Sequence, residues 1–382
     1  MTEKLFYEDS HLAEFEAVVQ SCEQKGDKYL IVLDKTAFFP EGGGQAADTG
    51  VLNGVYISDV KEKEDVIFHT ADAAIAVGTD VHGVIDWEER FSKMQQHSGE
   101  HIISGIVHER FGYNNVGFHL GDENVTLDFD GILTKEQLKE VEYEANRAVV
   151  KNLDIIAEYP ERELLRTMEY RSKIEIEGQV RIVTIPGYDV CACCAPHVRK
   201  TGEIGMIKLV AMQNYKGGVR ISMRCGFRAL ADYCGKEASV HAISNALSAK
   251  EDKITEAVER LKDENFRLNG TITALQRKVF AYQAAEIEQG KNRVILFEEG
   301  LDGGAMRELC NTVLERAVGV CAVCCGNDKE GYKYVIGSRQ LDVREIAKDL
   351  NGQFAGRGGG KPDMVQGSLY GSQEAIKAAF HV

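Results

Sequence analysis

Two short groups of potential metal ligands lie almost a hundred residues apart in this sequence. His97 and His101 fall in a segment whose apolar spacing predicts a helix, so the two imidazoles lie one turn apart on one face. Cys193 and His197 flank Pro196 in a predicted loop. One thiolate and three imidazoles form a ligand set that suits tetrahedral zinc. If all four bind one ion, the fold must bring the two groups together.

Details of these groups restrict the chemistry. A zinc protease of the HExxH type needs Glu directly after the first His, but Ser98 stands there. Cys193 is the favoured thiolate because it precedes His197 by four residues, although Cys194 would serve after a shift of the loop. The alternative to metal binding is a buried cysteine cluster beside a helix whose histidines face solvent.

Changes in residue pattern divide the chain into four segments. Residues 1–85 contain short apolar runs between glycine and acidic turns, which fits a small β-barrel or sandwich, and we predict the barrel. Residues 86–232 mix helical and strand patterns and form the predicted α+β metal-binding core. Residues 233–290 are predicted to be a helical linker, and residues 291–382 a small α/β domain. The predicted fold class is therefore multidomain α+β.

The helical linker has apolar residues at alternating steps of four and three, which is typical of a coiled coil. We expect a coiled-coil stalk that forms either a helical hairpin within one chain or a homodimer of two chains. The C-terminal domain is a second candidate for the dimer contact. An amphipathic helix lying on its own domain is the alternative. The positions of this heptad seam are Ile254, Val258, Leu261, Asn265, Leu268, Ile272, Leu275, Val279 and Tyr282.

Composition limits the partners of the protein. The net charge of −15 over 382 residues disfavours unspecific binding to polyanions, so any nucleic acid must meet a local basic surface. Residues 199–228 provide such a stretch, with seven basic residues and one acid. No run approaches the roughly 18–20 apolar residues that span a bilayer, so we expect a cytoplasmic protein with no membrane partner.

The two ligand groups resemble the HxxxH and CxxxH halves of the editing domain of alanyl-tRNA synthetase and its free-standing relatives, the AlaX proteins. The similarity continues through residues 197–205 and 217–220, and through the glycine-rich residues 38–50 upstream. Residues 356–367 resemble the glycine-rich signature of the DHH-associated domain at the synthetase C-terminus. The order of the segments resembles the long form of AlaX. Cys194 departs from the pattern, since the family usually has a glycine there.

The resemblance implies a zinc-dependent trans-editing hydrolase that removes serine, with glycine as a second candidate, from mischarged alanine tRNA. Such hydrolysis is needed because a pocket for alanine cannot strongly exclude smaller glycine or serine with its added hydroxyl. The cofactor would be Zn²⁺, held by His97, His101, Cys193 and His197. His97 and His101 are also the catalytic candidates, together with Gln45 and Thr49 near the glycine-rich turn. His119 and Asp189 are candidates for supporting the ligands.

The alanine tRNA would bind through residues in two regions. Gly356 to Gly360 would form a nest of backbone N–H groups for a phosphate. The predicted tRNA-binding residues are Arg199, Lys200, Arg220, Arg224, Gly356, Arg357, Gly358, Gly359, Gly360 and Lys361.

Two other functions remain open at this point. The first is a non-catalytic tRNA-binding module in which zinc only stabilises the fold. The second is a redox sensor that uses Cys191, Cys193 and Cys194. If the hydrolase is correct, the number of side chains on zinc decides whether the metal activates water or only positions the substrate.

Overall fold

The computed structural model describes residues 1–121, 125–172, 179–316 and 319–381, and it divides into two units, Met1–Val240 and His241–Val382. Both units combine helices with β-sheets, which confirms the mixed α+β, multidomain class. The finer division into four segments stays a prediction. None of the helices in these ranges is long and apolar enough to cross a membrane.

The strands of residues 1–85 form a closed barrel. These strands are β1 (Glu3–Lys4), β2 (Glu14–Lys25), β3 (Lys28–Leu33), β4 (Lys35–Thr36), β5 (Gly50–Leu52), β6 (Val55–Lys63), β7 (Val66–Ala71) and β8 (Asp80–Ile85). The barrel closes in the order β2-β3-β7-β6-β5-β8, while β1 pairs with β4. Burial alternates along β7 and β8 because successive side chains of a strand point to opposite faces. Phe38, Leu52 and Ile67 belong to the buried interior.

Helices with clear end signals follow the barrel. The helices that begin in the first unit are α1 (Leu5–Glu8), α2 (Trp87–Phe111), α3 (Lys135–Lys151), α4 (Arg162–Leu165) and α5 (Gly226–Leu247). Asp86 caps α2 by accepting a hydrogen bond from the Glu89 N–H, and Gly112 ends the helix with φ of 71°. Thr134 and Gln137 form a capping box that starts α3. The helix that the sequence predicts around His97 and His101 is α2.

Two further sheets complete the first unit. Their strands are β9 (Asn115–Leu120), β10 (Val125–Phe129), β11 (Ile156–Glu158), β12 (Ile182–Ile185), β13 (Asp189–Ala192), β14 (Ile207–Tyr215) and β15 (Gly218–Cys225). One sheet has the order β14-β15-β10-β9 and the other β11-β12-β13. A 3₁₀ turn, Thr201–Ile204, connects them. Apolar side chains from α2, α3 and the four-stranded sheet form one core.

A buried ion pair joins the barrel to α2. Arg90 and Asp48 are both almost completely buried, and the Arg90 Nε lies 3.0 Å from Asp48 Oδ1. Asp48 also accepts a hydrogen bond from the Phe39 N–H, and Arg90 donates to the Ala37 carbonyl. A buried pair is held in this way only when its remaining polar atoms are satisfied. The pair therefore fixes the glycine-rich loop of the barrel against the helix that carries His97.

The second unit places a five-stranded sheet between helices. Its elements are α6 (Ile254–Glu286), β16 (Arg293–Glu298), α7 (Gly303–Leu314), β17 (Val320–Asn327), β18 (Gly331–Ser338), α8 (Arg344–Gln353), β19 (Arg357–Lys361), β20 (Met364–Leu369) and α9 (Gln373–His381), with a 3₁₀ turn at Glu251–Lys253. The strand order is β16-β17-β18-β20-β19. Cys321 and Cys324 are buried in β17, which agrees with apolar packing.

The predicted coiled-coil stalk corresponds to α6, a single helix whose heptad seam is exposed. Leu268 is 46% exposed and Leu275 is 55% exposed, so the described residues of the chain leave much of the seam uncovered. The buried residues of α6 are instead Ala257, Phe280 and Ala284. The helical hairpin is therefore not confirmed and stays a prediction. The intermolecular coiled coil stays a prediction.

Candidate metal centre

Helix α2 lies in the interior of the first unit, where every residue from 93 to 107 is buried. Gly105 allows another segment to approach closely, because a Cβ there would lie 2.0 Å from the backbone oxygen of Tyr188. Asp189 follows at the start of β13. This approach places the Asp189 carboxylate beside His101, one turn before Gly105.

The four predicted ligands converge at this place. One ligand atom from each of His97, His101, Cys193 and His197 lies within 4.8 Å of the others. The Cys193 Sγ is 3.5 Å from His97 Nε2 and 3.4 Å from His197 Nε2. The three histidines are 2–3% exposed. The fold thus joins the helix and the loop into one cluster of three nitrogens and one sulfur.

Each histidine has a hydrogen-bond partner at Nδ1, which leaves Nε2 as the ring nitrogen available for a metal. The Nδ1–H of His97 donates to Gln45 Oε1 at 3.2 Å, and that of His101 donates to Asp189 Oδ2 at 2.9 Å. The His197 Nδ1 lies 3.0 Å from Ser98 Oγ, within hydrogen-bond distance. Metal-binding histidines in proteins are generally held in this way. The cluster therefore has ring orientations that suit a metal site.

Asp189 is itself fixed by an arginine. Arg171 donates from Nε to Asp189 Oδ1 at 2.7 Å and from Nη2 to Oδ2 at 2.8 Å. Burial by itself would lower the pKa of His101, but the bond to Asp189 outweighs it and raises that pKa well above its ordinary value. Arg171 gave no local signal in the sequence, because its partner lies on a different strand.

The thiol of Cys193 is the group that a metal would bind as thiolate. Burial alone would raise its pKa, but the charge of His97 and hydrogen bonds from His101 and His197 lower the pKa of Cys193 well below its usual value. Burial lowers the pKa of His197 to about 3, so its imidazole is neutral. A thiolate and a neutral imidazole are the forms in which these two side chains bind zinc.

The neighbouring cysteines lie outside this cluster. Cys194 is exposed, so the geometry favours Cys193 as the thiolate ligand. Cys191 is buried beside His101 and Asp189, and burial raises the pKa of its thiol. All of the described cysteines are free thiols. The structure therefore shows no disulfide among them that would support a redox sensor.

The glycine-rich loop lies against the cluster, as its position in the sequence suggested. Gly43 and Gly44 have left-handed φ values of 61° and 81°. A Cβ on Gly44 would lie 2.8 Å from Phe118, and one on Gly43 would lie 3.2 Å from the Cys194 sulfur. Only glycine accepts both the backbone conformation and this close contact. The loop presents Gln45 to His97.

Gln45 has an unused donor beside the metal cluster. Its Nε2 is buried and makes no hydrogen bond, while its Oε1 accepts from His97. The other candidates are placed elsewhere. The Thr49 hydroxyl donates to Glu89, and His119 is exposed on β9. Neither belongs to the cluster, so the structure does not support a catalytic role for Thr49.

Phe118, the neighbour of His119, contacts the site instead. Its ring centroid lies 4.9 Å from that of His97. Adjacent residues on a strand point to opposite faces, so an error of one position selects the wrong side chain. Ser98 was likewise missed as a partner of His197, although it is adjacent to His97 in the sequence.

Carboxylates neutralise much of the basic stretch. Arg220 pairs with Asp128, and Arg224 with Asp232. The remaining pairs of the stretch are Arg199 with Asp9, Lys200 with Asp154 and Lys208 with Glu142. Five of the seven cations of the stretch thus face carboxylates, and tRNA binding by this stretch stays a prediction.

The glycine run of the second unit forms a strand and not a nest. β19 pairs with β20 at the sheet edge, and all of its residues are exposed. None of its glycines has a left-handed φ, which a backbone nest needs. Arg357 and Lys361 stand at the two ends of this edge strand.

A cavity of about 850 Å³ opens beside the cluster. It is bordered by His97, His101 and Cys193, by Gly43 and Gly44, and by Tyr7, Tyr159 and Arg181. The guanidinium of Arg181 donates from Nη1 to the backbone oxygens of Cys193, at 3.0 Å, and Ala195, at 2.9 Å. The sequence analysis did not single out Arg181. The signal that could have found it is its position as the one charged residue in the otherwise mostly apolar run of residues 180–185.

Three family models match the chain. Residues 2–89 match the tRNA synthetases class II (A) model, and residues 289–382 match the DHHA1 domain. Residues 180–222, which contain Cys193 and His197, match the threonyl and alanyl tRNA synthetase second additional domain. The matches follow the order predicted from the sequence.

The chain is 26% identical to the alanyl-tRNA editing protein AlaX-L of Pyrococcus horikoshii, over 98% of this chain and 96% of that protein. The chain resembles the long AlaX editing proteins. This confirms the resemblance that the ligand groups and glycine-rich motifs predicted. The match covers almost the full length of AlaX-L.

Longer relatives share the same region. The chain is 31% identical to the alanine–tRNA ligase of Pyrococcus abyssi, over 99% of this chain and 43% of the ligase. It thus spans less than half the length of that enzyme. A solved structure of the C-Ala domain of Aquifex aeolicus alanyl-tRNA synthetase aligns with 25% of this chain and 94% of that domain, at 20% identity and a TM-score of 0.22.

Proposed function

We propose that this protein is a trans-editing hydrolase that cleaves the ester between serine, or glycine, and the terminal ribose of alanine tRNA. The observation that carries the proposal is the cluster of His97, His101, Cys193 and His197, whose ligand atoms lie within 4.8 Å of one another beside a cavity. The similarity to an alanyl-tRNA editing protein over 98% of the chain supports it.

The donor set fits zinc. Three imidazoles with fixed Nδ1 partners and one thiolate match the common tetrahedral sites of Zn²⁺. His97, His101, Cys193 and His197 would hold the ion. When bound, zinc would supply a positive charge that polarises or orients the aminoacyl ester beside it.

Gln45 is the residue that we expect to contact the reacting group. A buried amide donor without an acceptor costs about 1–3 kcal/mol, and an oxygen of the substrate would remove this cost. Its Oε1 is occupied by His97, so Nε2 is the atom available for that hydrogen bond. Gly43 and Gly44 allow the ester to approach, since neither has a side chain that would enter the cavity.

The tRNA would be contacted by both units. Arg199 and Lys200 are exposed near the loop of Cys193, although each pairs with a carboxylate that a phosphate would have to displace. In the second unit, the exposed edge strand β19 offers Arg357, Lys361 and unpaired backbone groups. We assign Arg220 and Arg224 a structural role in preference to tRNA binding, because their acid partners hold them.

The direct test uses charged tRNA. The purified, zinc-loaded protein is incubated separately with serine-, glycine- and alanine-charged alanine tRNA, and loss of the ester is followed. We expect faster loss of serine than of alanine. Equal, background rates for all three substrates would refute the hydrolase.

A non-catalytic tRNA-binding module with structural zinc is the second candidate. Four protein ligands leave no open position on a tetrahedral ion, and closed sites of this kind are typically structural. This module would bind alanine tRNA and leave its ester intact, so the same assay separates the two functions.

A further inference from the structure

The outer part of the cavity beside the metal cluster has a composition that the ester reaction does not explain. Its volume of about 850 Å³ lies in the range of roughly 300–1,000 Å³ that holds whole small-molecule ligands. A seryl or glycyl ester would fill only the part next to His97 and Cys193. The rest of the lining includes two tyrosines and one arginine, Tyr7, Tyr159 and Arg181, and also the charged residues Glu3, Lys4 and Asp65.

The tyrosines offer an aromatic surface. The ring centroids of Tyr7 and Tyr159 are 6.3 Å apart, with the rings nearly perpendicular at 77°. Arg181 covers the Tyr7 ring, with its guanidinium carbon 5.2 Å from the centroid. Tyr159 remains 42% exposed. A flat ligand can therefore stack on Tyr159 with its edge toward Tyr7.

Arg181 is a buried cation whose charge lacks a carboxylate partner. It is 8% exposed, and in the described ranges no acid lies within ion-pair distance of it. Its Nη1 donates to two backbone oxygens, whereas Nε and Nη2 make no hydrogen bond there. Lys4 differs, because it pairs with Glu62 at 2.6 Å. Burying an unpaired charge is costly, and an anionic ligand would offset this cost.

We propose that Tyr159, Tyr7 and Arg181 form a binding subsite for the 3′-terminal nucleotide of the RNA, which carries the aminoacyl ester. This inference rests on the proposed function, since that nucleotide is the part of the substrate next to the ester. Its base stacks on Tyr159, as bases commonly stack on aromatic side chains. Its phosphate faces the free donors of Arg181. The same cavity then holds the ester at the metal cluster and the nucleotide at its mouth.

The test measures binding of adenosine 5′-monophosphate to the zinc-loaded full chain by calorimetry, without any ester present. Ribose 5-phosphate, which lacks the base, should bind at least about ten-fold more weakly, since one stacked base typically accounts for a factor of that size or more. Tyr159→Leu should weaken binding of the nucleotide by about ten-fold, and Tyr159→Phe should restore it. Tyr143→Leu, at a 72% exposed tyrosine on α3, is the control and should bind like the wild type.

Arg181→Lys tests the phosphate contact, because lysine keeps the charge but loses the fork of donors. Wild type should prefer the monophosphate to adenosine, and the variant should reduce this preference. If the variant loses zinc, the Tyr159 series decides the result. Equal binding by wild type and Tyr159→Leu would overturn the subsite, even if seryl-tRNA is hydrolysed. Normal nucleotide binding without ester hydrolysis would instead refute only the proposed hydrolase.

Discussion

The hydrogen bonds at Nδ1 of the three histidines give each imidazole a separate partner. These partners come from a barrel loop, a strand and the helix itself, namely Gln45, Asp189 and Ser98. Because each partner binds Nδ1 and orients the ring, loss of one partner should weaken metal binding while all four ligands remain. Loss of a ligand should have a larger effect.

Removing a ligand is the strongest single change. His97→Ala should abolish deacylation of serine-charged alanine tRNA, because His97 both faces Cys193 and fixes Gln45. His119→Ala is the matched control, since His119 is exposed on β9. The measurement is the rate of ester loss together with the zinc content. Unchanged activity of His97→Ala would defeat the catalytic assignment.

Changing a partner should give a graded effect. We expect Asp189→Asn to reduce zinc affinity by about 10–100-fold, because a neutral amide orients His101 less strongly. Asp154→Asn removes an exposed carboxylate that pairs with Lys200 and should leave zinc affinity unchanged. Competition with a chelator measures both. Equal affinities would show that Asp189 acts only on the fold.

A buried histidine in the barrel predicts a pH dependence of stability. His69 is completely buried, donates from Nδ1 to the Ile31 carbonyl and accepts from the Thr36 hydroxyl. Burial lowers its pKa to about 4, below the value of about 6.5 expected in the unfolded chain. The unfolded state therefore binds a proton first as the pH falls, so stability is complete above about pH 6.5 and decreases toward pH 4.

Between about pH 7.5 and pH 5 this single group should reduce the free energy of unfolding by about 2 kcal/mol. His69→Leu lacks the titrating group, so its loss over the same interval should be smaller by that amount. Urea unfolding at the two pH values measures the difference. Identical losses in wild type and variant would contradict the assignment.

At the scale of elements, α6 presents its heptad seam to solvent. Leu261, Leu268 and Leu275 are about half exposed on one side of a 33-residue helix. Apolar side chains at this spacing are normally covered by a second helix. We therefore expect two chains to pair through this seam.

The pairing is tested by light scattering. Leu268→Lys should convert a dimer into a monomer, because a charge enters the middle of the seam. Asp263→Lys lies off the seam, is exposed, and introduces the same side chain as a control. A mass that does not change in Leu268→Lys would exclude pairing through this seam.

At the scale of the molecule, the candidate metal centre joins segments that are distant in sequence. The barrel contributes Gln45, α2 contributes His97 and His101, and the loop after β13 contributes Cys193 and His197. The Arg90–Asp48 pair and the apolar cores hold these segments independently of any ion. The fold should therefore persist when the metal is removed.

Chelation tests this expectation. We predict that zinc removal stops ester hydrolysis while the circular dichroism of the protein is retained, with a modest fall in Tm. Re-addition of zinc should restore activity. Global unfolding on chelation would favour the structural-zinc module over the hydrolase.

Much of the secondary structure and the ligand quartet could be predicted from the sequence. Asp86 and Gly112 mark the ends of α2 because capping depends on residues within one turn. Spacing of four residues likewise placed His97 and His101 on one helical face. Errors arose where a single position decides the face of a strand, as with His119 and Phe118, or where a glycine run allows either a nest or a strand.

The sequence alone determined the kinds of ligand, the helix that carries two of them, and the family that the chain resembles, because each depends on neighbouring residues. Tertiary structure alone decided that Arg171 holds Asp189 and that acids pair with most of the basic stretch. These contacts join residues far apart in the chain. No local pattern encodes such pairs, because their free energies arise only when the packed core places the two side chains together.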